Sequence, residues 1–78
     1  NGYLLVLHHD EFAQMDIENE LRRSVRYYRV RSKTVTRNGS ETTVEVRLDR
    51  RVNIVSNMLG INGVHEATLV ACQMEAGA

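Results

Sequence analysis

The dipeptide Asn38-Gly39 is the strongest local constraint in this chain of 78 residues. Asn-Gly supplies the two positive φ angles of a type I′ turn, whose twist matches that of paired β-strands. Residues 27–37 before it are rich in β-branched and aromatic side chains, and residues 42–49 after it alternate between apolar and polar. Both patterns favour extended strands. We therefore predict a β-hairpin with its turn at residues 37–40.

Two apolar segments predict further strands near the ends of the chain. Residues 3–7 form a short, continuous apolar run, which suits a central strand that is buried on both faces. Residues 67–72 are also apolar on both faces. The strand at 27–37 is more polar than either, as is typical of a sheet edge. We expect residues 73–78 to form a frayed tail.

Two helices are predicted between these strands. In the segment 11–25, three apolar residues recur at four-residue intervals, which places them on one helix face. We expect Asp16 to cap this helix. A second helix is predicted over 50–59, with Asp49 as its N-cap and a glycine directly after its end.

The order of elements is therefore strand, helix, two-stranded hairpin, helix, strand. Right-handed crossovers then give an antiparallel sheet of four strands in the order 4-1-3-2, with both helices on one face. This is an α+β, ferredoxin-like βαββαβ fold, and it places the apolar run 3–7 at the centre and the polar strand at an edge. One domain covers residues 1–78. Because the chain starts at Asn1, we expect it to be part of a longer protein.

The central strand leaves one apolar face of the sheet without a helix. A large exposed apolar face is unusual on a monomer, so we expect a second copy to cover it. Ten basic and ten acidic residues balance, so net charge does not oppose this association. The alternative is a β-prone strand whose second face is partly exposed. We assign Tyr3, Leu5, Leu7 and Val70 to the predicted interface.

Three histidines are predicted to meet at one edge of this sheet. His8 and His9 follow the first strand, and His65 precedes the last, which is its antiparallel neighbour. The hairpin tip lies at the same edge. Imidazoles in such a cluster can bind a transition metal, and the edge could hold a small ligand. The alternative is that the strand ends in a polar loop that happens to contain histidines, since no His-x₃-His spacing supports a metal site.

Catalysis has little support in the sequence. Cys72 lies in an apolar strand, where a thiol is usually an inert hydrophobic side chain. The serines lack a sharp glycine-flanked turn, and the glycines at 60 and 63 lack the lysine of a phosphate-binding loop. We therefore expect a protein that is not an enzyme and has no cofactor.

RNA binding is a further alternative. Basic residues between Arg22 and Arg37 are interleaved with Tyr27 and Tyr28, and aromatic residues on a sheet of this topology can stack on bases. In RNA-binding sheets the stacking aromatic residues lie on central strands, whereas Tyr27 and Tyr28 begin an edge strand. The balanced charge also argues against nucleic acid as a partner. A charged edge that resists strand pairing explains the arginines equally well.

Residues 57–69 are similar to the helix-turn-strand ending of ACT-like domains, in which a Gly-Val step, here Gly63-Val64, leads into the last strand. Such domains often pair through their sheets and bind amino acids at the first strand-helix loop, here residues 8–12, which lacks the glycine many of them use. Nearly the whole chain also resembles the soluble C-terminal domain of a bacterial family of multi-span membrane proteins with unassigned function. The features that match are the polar hairpin at 29–49 and the Val-rich ending.

This resemblance implies a cytoplasmic regulatory domain that assembles with a membrane-embedded partner or follows a membrane domain. The chain itself has no apolar run of the roughly 18 residues that a membrane span needs. From the residues and the resemblance together, we predict a non-catalytic, self-associating module. A small-ligand sensor and an RNA-binding module are the alternatives.

Overall fold

The structure is a computed structural model and describes residues 2–49 and 52–72. This part of the chain contains four strands and two α-helices. The strands form one antiparallel sheet in the order β2-β3-β1-β4, which is the predicted order counted from the other edge. The predicted tail at 73–78 and the first residues of the predicted second helix lie outside the described residues. In chain order the elements are β1 (Gly2–His9), a 3₁₀ turn (Glu11–Ala13), α1 (Gln14–Ser24), β2 (Tyr27–Thr36), β3 (Gly39–Arg47), α2 (Ile54–Leu59) and β4 (Val64–Ala71).

The hydrophobic core lies between the sheet and the helices. Leu5 and Leu7 of β1 are fully buried, as are Val44 and Val46 of β3. The strand register sets Leu5 directly beside Val44, so these side chains share one face of the sheet. Both helices contribute to this same cluster, so among the described residues no helix covers the other face of the sheet. The helix residues in the core are Ile17, Leu21, Ile54 and Met58.

Alternation along β1 decides which residues lie on each face. The odd-numbered residues Tyr3, Leu5 and Leu7 point toward the helices, and the even-numbered residues point to the opposite face. Leu5 and Leu7 are 0% exposed, so their assignment to an interface is wrong. Val70 pairs with Leu4 and is 45% exposed on the face without helices. Because residues 3–7 are all apolar, their sequence does not show which face of the strand is buried against the helices.

The hairpin turn differs from the predicted type I′ turn. Thr36 pairs with Gly39, so the two loop residues are Arg37 and Asn38. Neither has a positive φ, whereas Gly39 has a φ of 133°. An ordinary turn followed by a glycine with positive φ is the arrangement of bulged hairpins. The positive φ favours glycine there, and a Cβ at position 39 would also lie 3.1 Å from the backbone oxygen of His9, a tight contact.

The starts of both helices differ from those predicted from the sequence: α1 already begins at Gln14, before Asp16, and α2 begins only at Ile54. The 3₁₀ turn at Glu11–Ala13 precedes α1, so Asp16 lies within the first helical turn instead of capping it. The N-cap of α2 is Asn53, whose side-chain oxygen accepts a hydrogen bond from the backbone N–H of Ser56 at 3.2 Å. The prediction that Asp49 caps this helix is wrong, because a capping residue directly precedes the first helical residue.

A buried carboxylate joins the two helices. Glu20 accepts hydrogen bonds from Arg23 and Ser24 within α1, and from the side-chain amide of Asn57 on α2 at 3.0 Å. Burial raises the pKa of Glu20, but the hydrogen bonds from Ser24 and Arg23 outweigh it and hold that pKa below its ordinary value. The helix contact therefore uses the charged form of Glu20.

Truncation of adjacent leucines on β1 tests the assignment of the faces. We expect Leu5→Ala to lower the free energy of unfolding by about 2–5 kcal/mol, the usual cost of truncating a fully buried leucine. Leu4→Ala, its matched control on the opposite face, should cost about 1 kcal/mol. Urea unfolding at low micromolar concentration, followed by circular dichroism, measures both. Equal losses for the two variants would contradict the assignment.

Candidate functional site

The sheet face opposite the helices, here called the open face, has an apolar centre. Leu4 and Val6 of β1 are partly exposed there. The register sets Leu4 beside Val70, and Val6 beside Thr68, on the neighbouring strand β4. Since both helices pack on the other face, these side chains form a continuous apolar strip across two strands.

One end of the open face is basic. Arg29 of β2 and Arg47 of β3 lie there. Arg31 lies in a bulge between Val30 and Ser32 of β2 and reaches the same end. An Nη1 of Arg31 donates a hydrogen bond to Oε1 of Glu45 at 2.8 Å. The guanidinium carbon of Arg47 lies 5.8 Å from the centre of the Tyr27 ring. This basic end carries three guanidinium groups and one carboxylate.

The other end of the open face is acidic. His8 of β1 pairs across the strands with Glu41 of β3 and Glu66 of β4. Its Nε2 lies 2.8 Å from Oε2 of Glu41, and its Nδ1 lies 3.6 Å from Oε1 of Glu66. A neutral imidazole has one N–H, so it can donate to one carboxylate only, whereas a protonated ring pairs with both. This acidic end therefore carries two carboxylates and one imidazole.

His9 follows His8 in the chain but lies on the helix side of the sheet, where it is 2% exposed. Its Nδ1 is 2.9 Å from the backbone oxygen of Asp10, and its Nε2 is 2.8 Å from the hydroxyl of Thr42. A backbone carbonyl can only accept, so Nδ1 carries a proton and donates to Asp10, while Nε2 forms a hydrogen bond with the hydroxyl of Thr42. Both ring nitrogens have protein partners, as is typical of a structural histidine.

His65 lies at an irregularity in the pairing of β1 with β4. His8 pairs with Glu66 and His9 with Val64, so His65 is the extra residue of the bulge. Its Nε2 lies 3.1 Å from Oδ1 of Asp10. Among the described residues, no group of three or more His, Cys, Asp or Glu side chains is placed to hold a metal ion. The metal site predicted from His8, His9 and His65 is therefore not assembled.

A cleft of about 260 Å³ lies at the end of the sheet where the histidines meet the hairpin tip. Its wall combines imidazoles, hydroxyls and one carboxylate, a lining that suits a small polar ligand. The structure thus brings the three histidines to one edge, as their places in the predicted sheet imply, although they do not converge on one point. The lining residues are His8, His9, Thr34, Thr36, Asn38, Gly39, Ser40, Glu41 and His65.

A polar cluster of Glu11, Lys33 and Ser40 lies beside this cleft. Glu11 accepts hydrogen bonds from Nζ of Lys33 at 2.6 Å and from the hydroxyl of Ser40 at 2.7 Å. These hydrogen bonds, first that of Lys33 and then that of Ser40, lower the pKa of Glu11 below its ordinary value of 4.5. Lys33 reaches Glu11 because a bulge between Val30 and Ser32 changes the face to which β2 directs its side chains. Sequence reasoning missed this cluster, since no local pattern marks the bulge.

Comparison with known protein families, with curated proteins and with solved structures found no match to this chain. No helix among the described residues is long and apolar enough to cross a lipid bilayer. The geometry of the open face and of the cleft therefore carries the functional argument.

Removal of the Lys33 ammonium tests the Glu11 cluster. We expect Lys33→Gln to raise the pKa of Glu11 toward its ordinary value, because the strongest hydrogen bond to the charged carboxylate is lost. In the parent protein, the depressed pKa stabilises the fold above about pH 4.5, and this stabilisation is lost as the pH falls through the lower, folded value. NMR titration of the Glu11 side-chain carbonyl carbon measures the shift. Arg29→Gln, on the opposite face, is the control, and an unchanged Glu11 midpoint in Lys33→Gln would refute the assignment.

Proposed function

We propose that this domain is a non-catalytic association module that binds a second copy of itself through the open face. The observation that carries the proposal is the apolar strip of Leu4, Val6 and Val70 on the face without helices. Side chains of this kind are stabilised by removal from water, at about 25 cal/mol per Å² of apolar surface. A partner surface that covers the strip would therefore be bound through the hydrophobic effect.

A ferredoxin-like, ACT-like architecture is part of the same proposal. The order of elements along the chain and the order β2-β3-β1-β4 in the sheet both support it. The resemblance to soluble domains of multi-span membrane proteins adds a role, in which pairing of this domain brings together or regulates the membrane-embedded proteins to which its copies belong.

A second copy is the occupant that the charges favour. The open face carries a basic end and an acidic end, so it contains both the charges and the countercharges that a partner must present. The whole chain has a formal net charge of zero, so two copies do not repel each other at long range. Oligomerisation is also one of the ways in which domains of this size gain stability.

The size of the open face predicts a weak dimer. Four strands span roughly 17 Å across the sheet, and seven residues of strand span roughly 23 Å along it, which gives roughly 400 Å² of flat area per copy. The total of roughly 800 Å² lies below the size of standard stable interfaces and suits a reversible association.

A charge at the centre of the open face tests self-association. We expect the parent protein to form dimers between about 10 μM and about 1 mM, the range suited to a small interface. Val6→Lys should weaken association at least about tenfold, because dimerisation would bury an unpaired ammonium group. Val35→Lys is the matched control, since Val35 is a 62% exposed valine on the helix side of β2. Sedimentation equilibrium measures all three proteins, and a parent protein that stays monomeric throughout this range would refute the proposal.

The cleft supports a second candidate function, the sensing of a small polar ligand at the edge lined by His8, His9 and His65. The specific observation is that polar side chains from β1, β2, β3 and β4 all line the one cleft. Small zwitterions such as free amino acids match the mixture of imidazole, hydroxyl and carboxylate groups there.

Thermal unfolding with free amino acids tests the ligand candidate. A ligand at 100 times its Kd stabilises the folded state by about 2.7 kcal/mol, which raises the Tm of a domain this small by several degrees. We expect Thr34→Val to reduce the shift, because it removes a hydroxyl from the wall of the cleft. Nickel or zinc ions form a separate arm of the experiment. An unchanged Tm with every amino acid would remove this candidate.

A further inference from the structure

The charges of the open face determine how two copies can be oriented. We propose that two copies pack face to face with their strands antiparallel, so that Glu41 of each copy meets Arg47 of the other. This proposal rests on the proposed self-association. The two-fold axis lies in the plane of the interface and crosses the strands between Leu4 and Val6. The proposal follows from the positions of charges along β1, β3 and β4.

The acidic and basic ends lie far apart along the strands. Glu41 and Arg47 are six residues apart on β3 and lie on the same face, which separates their Cα atoms by roughly 20 Å. The register sets Glu41 level with His8, and Arg47 level with Gly2. The apolar residues Leu4 and Val6 lie between these two levels, so each end of the face has one dominant sign of charge around an uncharged centre.

Two-fold symmetry allows two aligned face-to-face arrangements. If the axis ran along the strands, equal levels would meet and the two acidic ends would lie over each other; with the axis over β1, Glu41 of each copy would lie opposite Glu66 of the other. Juxtaposition of like charges at an interface costs several kcal/mol. If the axis crosses the strands, the levels are inverted, and the acidic end of each copy lies over the basic end of the other. The second arrangement is the one that the charges permit.

The inverted arrangement also matches the apolar centre to itself. With the axis between Leu4 and Val6, Leu4 of each copy lies opposite Val6 of the other, and Val70 lies opposite Thr68. Each apolar residue therefore meets an apolar side chain or the methyl group of a threonine. The aligned packing of two sheets, with the strands within about 30° of each other, accommodates this register.

Both members of the proposed pair are exposed, so a second copy can reach them. Arg47 contacts the ring of Tyr27, and within the described ranges 2–49 and 52–72 it forms no ion pair. Glu41 is 47% exposed, and its partner in the isolated domain is the imidazole of His8. By contrast, Glu45 is paired with the guanidinium of Arg31, which always carries a charge, so Glu45 adds little attraction for a second copy.

Charge reversal and mixing test this orientation. We expect Glu41→Arg and Arg47→Glu each to weaken self-association at least about tenfold, because each creates two like-charge contacts in the symmetric dimer. An equimolar mixture of the two variants should associate at least as strongly as the parent protein, because both contacts then join opposite charges. The double variant Glu41→Arg with Arg47→Glu should recover association for the same reason. Sedimentation equilibrium of the separate and mixed proteins measures each affinity.

A control pair separates this geometry from general attraction between oppositely charged variants. Asp16→Arg and Arg22→Glu make the same changes of net charge on the exposed surface of α1. We expect each control to associate like the parent protein, alone and mixed. Thermal unfolding of every variant confirms that the sheet is intact.

The outcomes distinguish this geometry from the proposed function. A parent protein that stays monomeric overturns both. A parent protein that dimerises, with a mixture of Glu41→Arg and Arg47→Glu no stronger than either variant alone, overturns the geometry and leaves self-association standing. If the separate control variants also associate more weakly than the parent protein and their mixture recovers as much as the test mixture, the geometry is overturned too.

Discussion

The structure depends on a central strand that is apolar on both sides. The odd-numbered residues of β1, above all Leu5 and Leu7, are buried between the sheet and both helices. Burial of these two side chains fixes the register of β1 with β3 and β4, because a shift of one residue would move them to the other face. The same alternation directs Leu4 and Val6 outward, so the open apolar strip is a direct consequence of the way the core is built.

The strand order could be predicted from the sequence because it follows from polarity along the chain. The apolar run 3–7 had to be central, and the polar strand before Asn38 had to be an edge. The faces of β1 could not be predicted, since a run without polar residues is symmetric under a shift of one position. The turn was placed correctly but given the wrong conformation, because Gly39 alone takes the positive φ.

The contacts within the candidate sites could not be predicted from neighbouring residues in the sequence. His8 and His9 are neighbours in sequence, which suggested a shared site, but neighbours in a strand point to opposite faces. His8 therefore joins the acidic end of the open face, and His9 bonds to Thr42 beneath the helices. Lys33 reaches Glu11 only because of a bulge, and a bulge arises from the fit of two strands across the sheet. Such features depend on distant partners and leave no pattern in the surrounding residues.

A net charge of zero hides an uneven distribution of charge on this domain. The acidic end of the open face, around His8, and the basic end, around Arg47, come from alternate residues of neighbouring strands, so they are separated along the strand direction and share one surface. A surface of this kind attracts a copy of itself in one orientation and repels it in the other. In the proposed dimer, burial of the apolar strip supplies most of the binding free energy but does not fix the orientation of the copies. The charges select the orientation and add little binding free energy. Their combination on one face is the basis of the specific and reversible pairing that we propose.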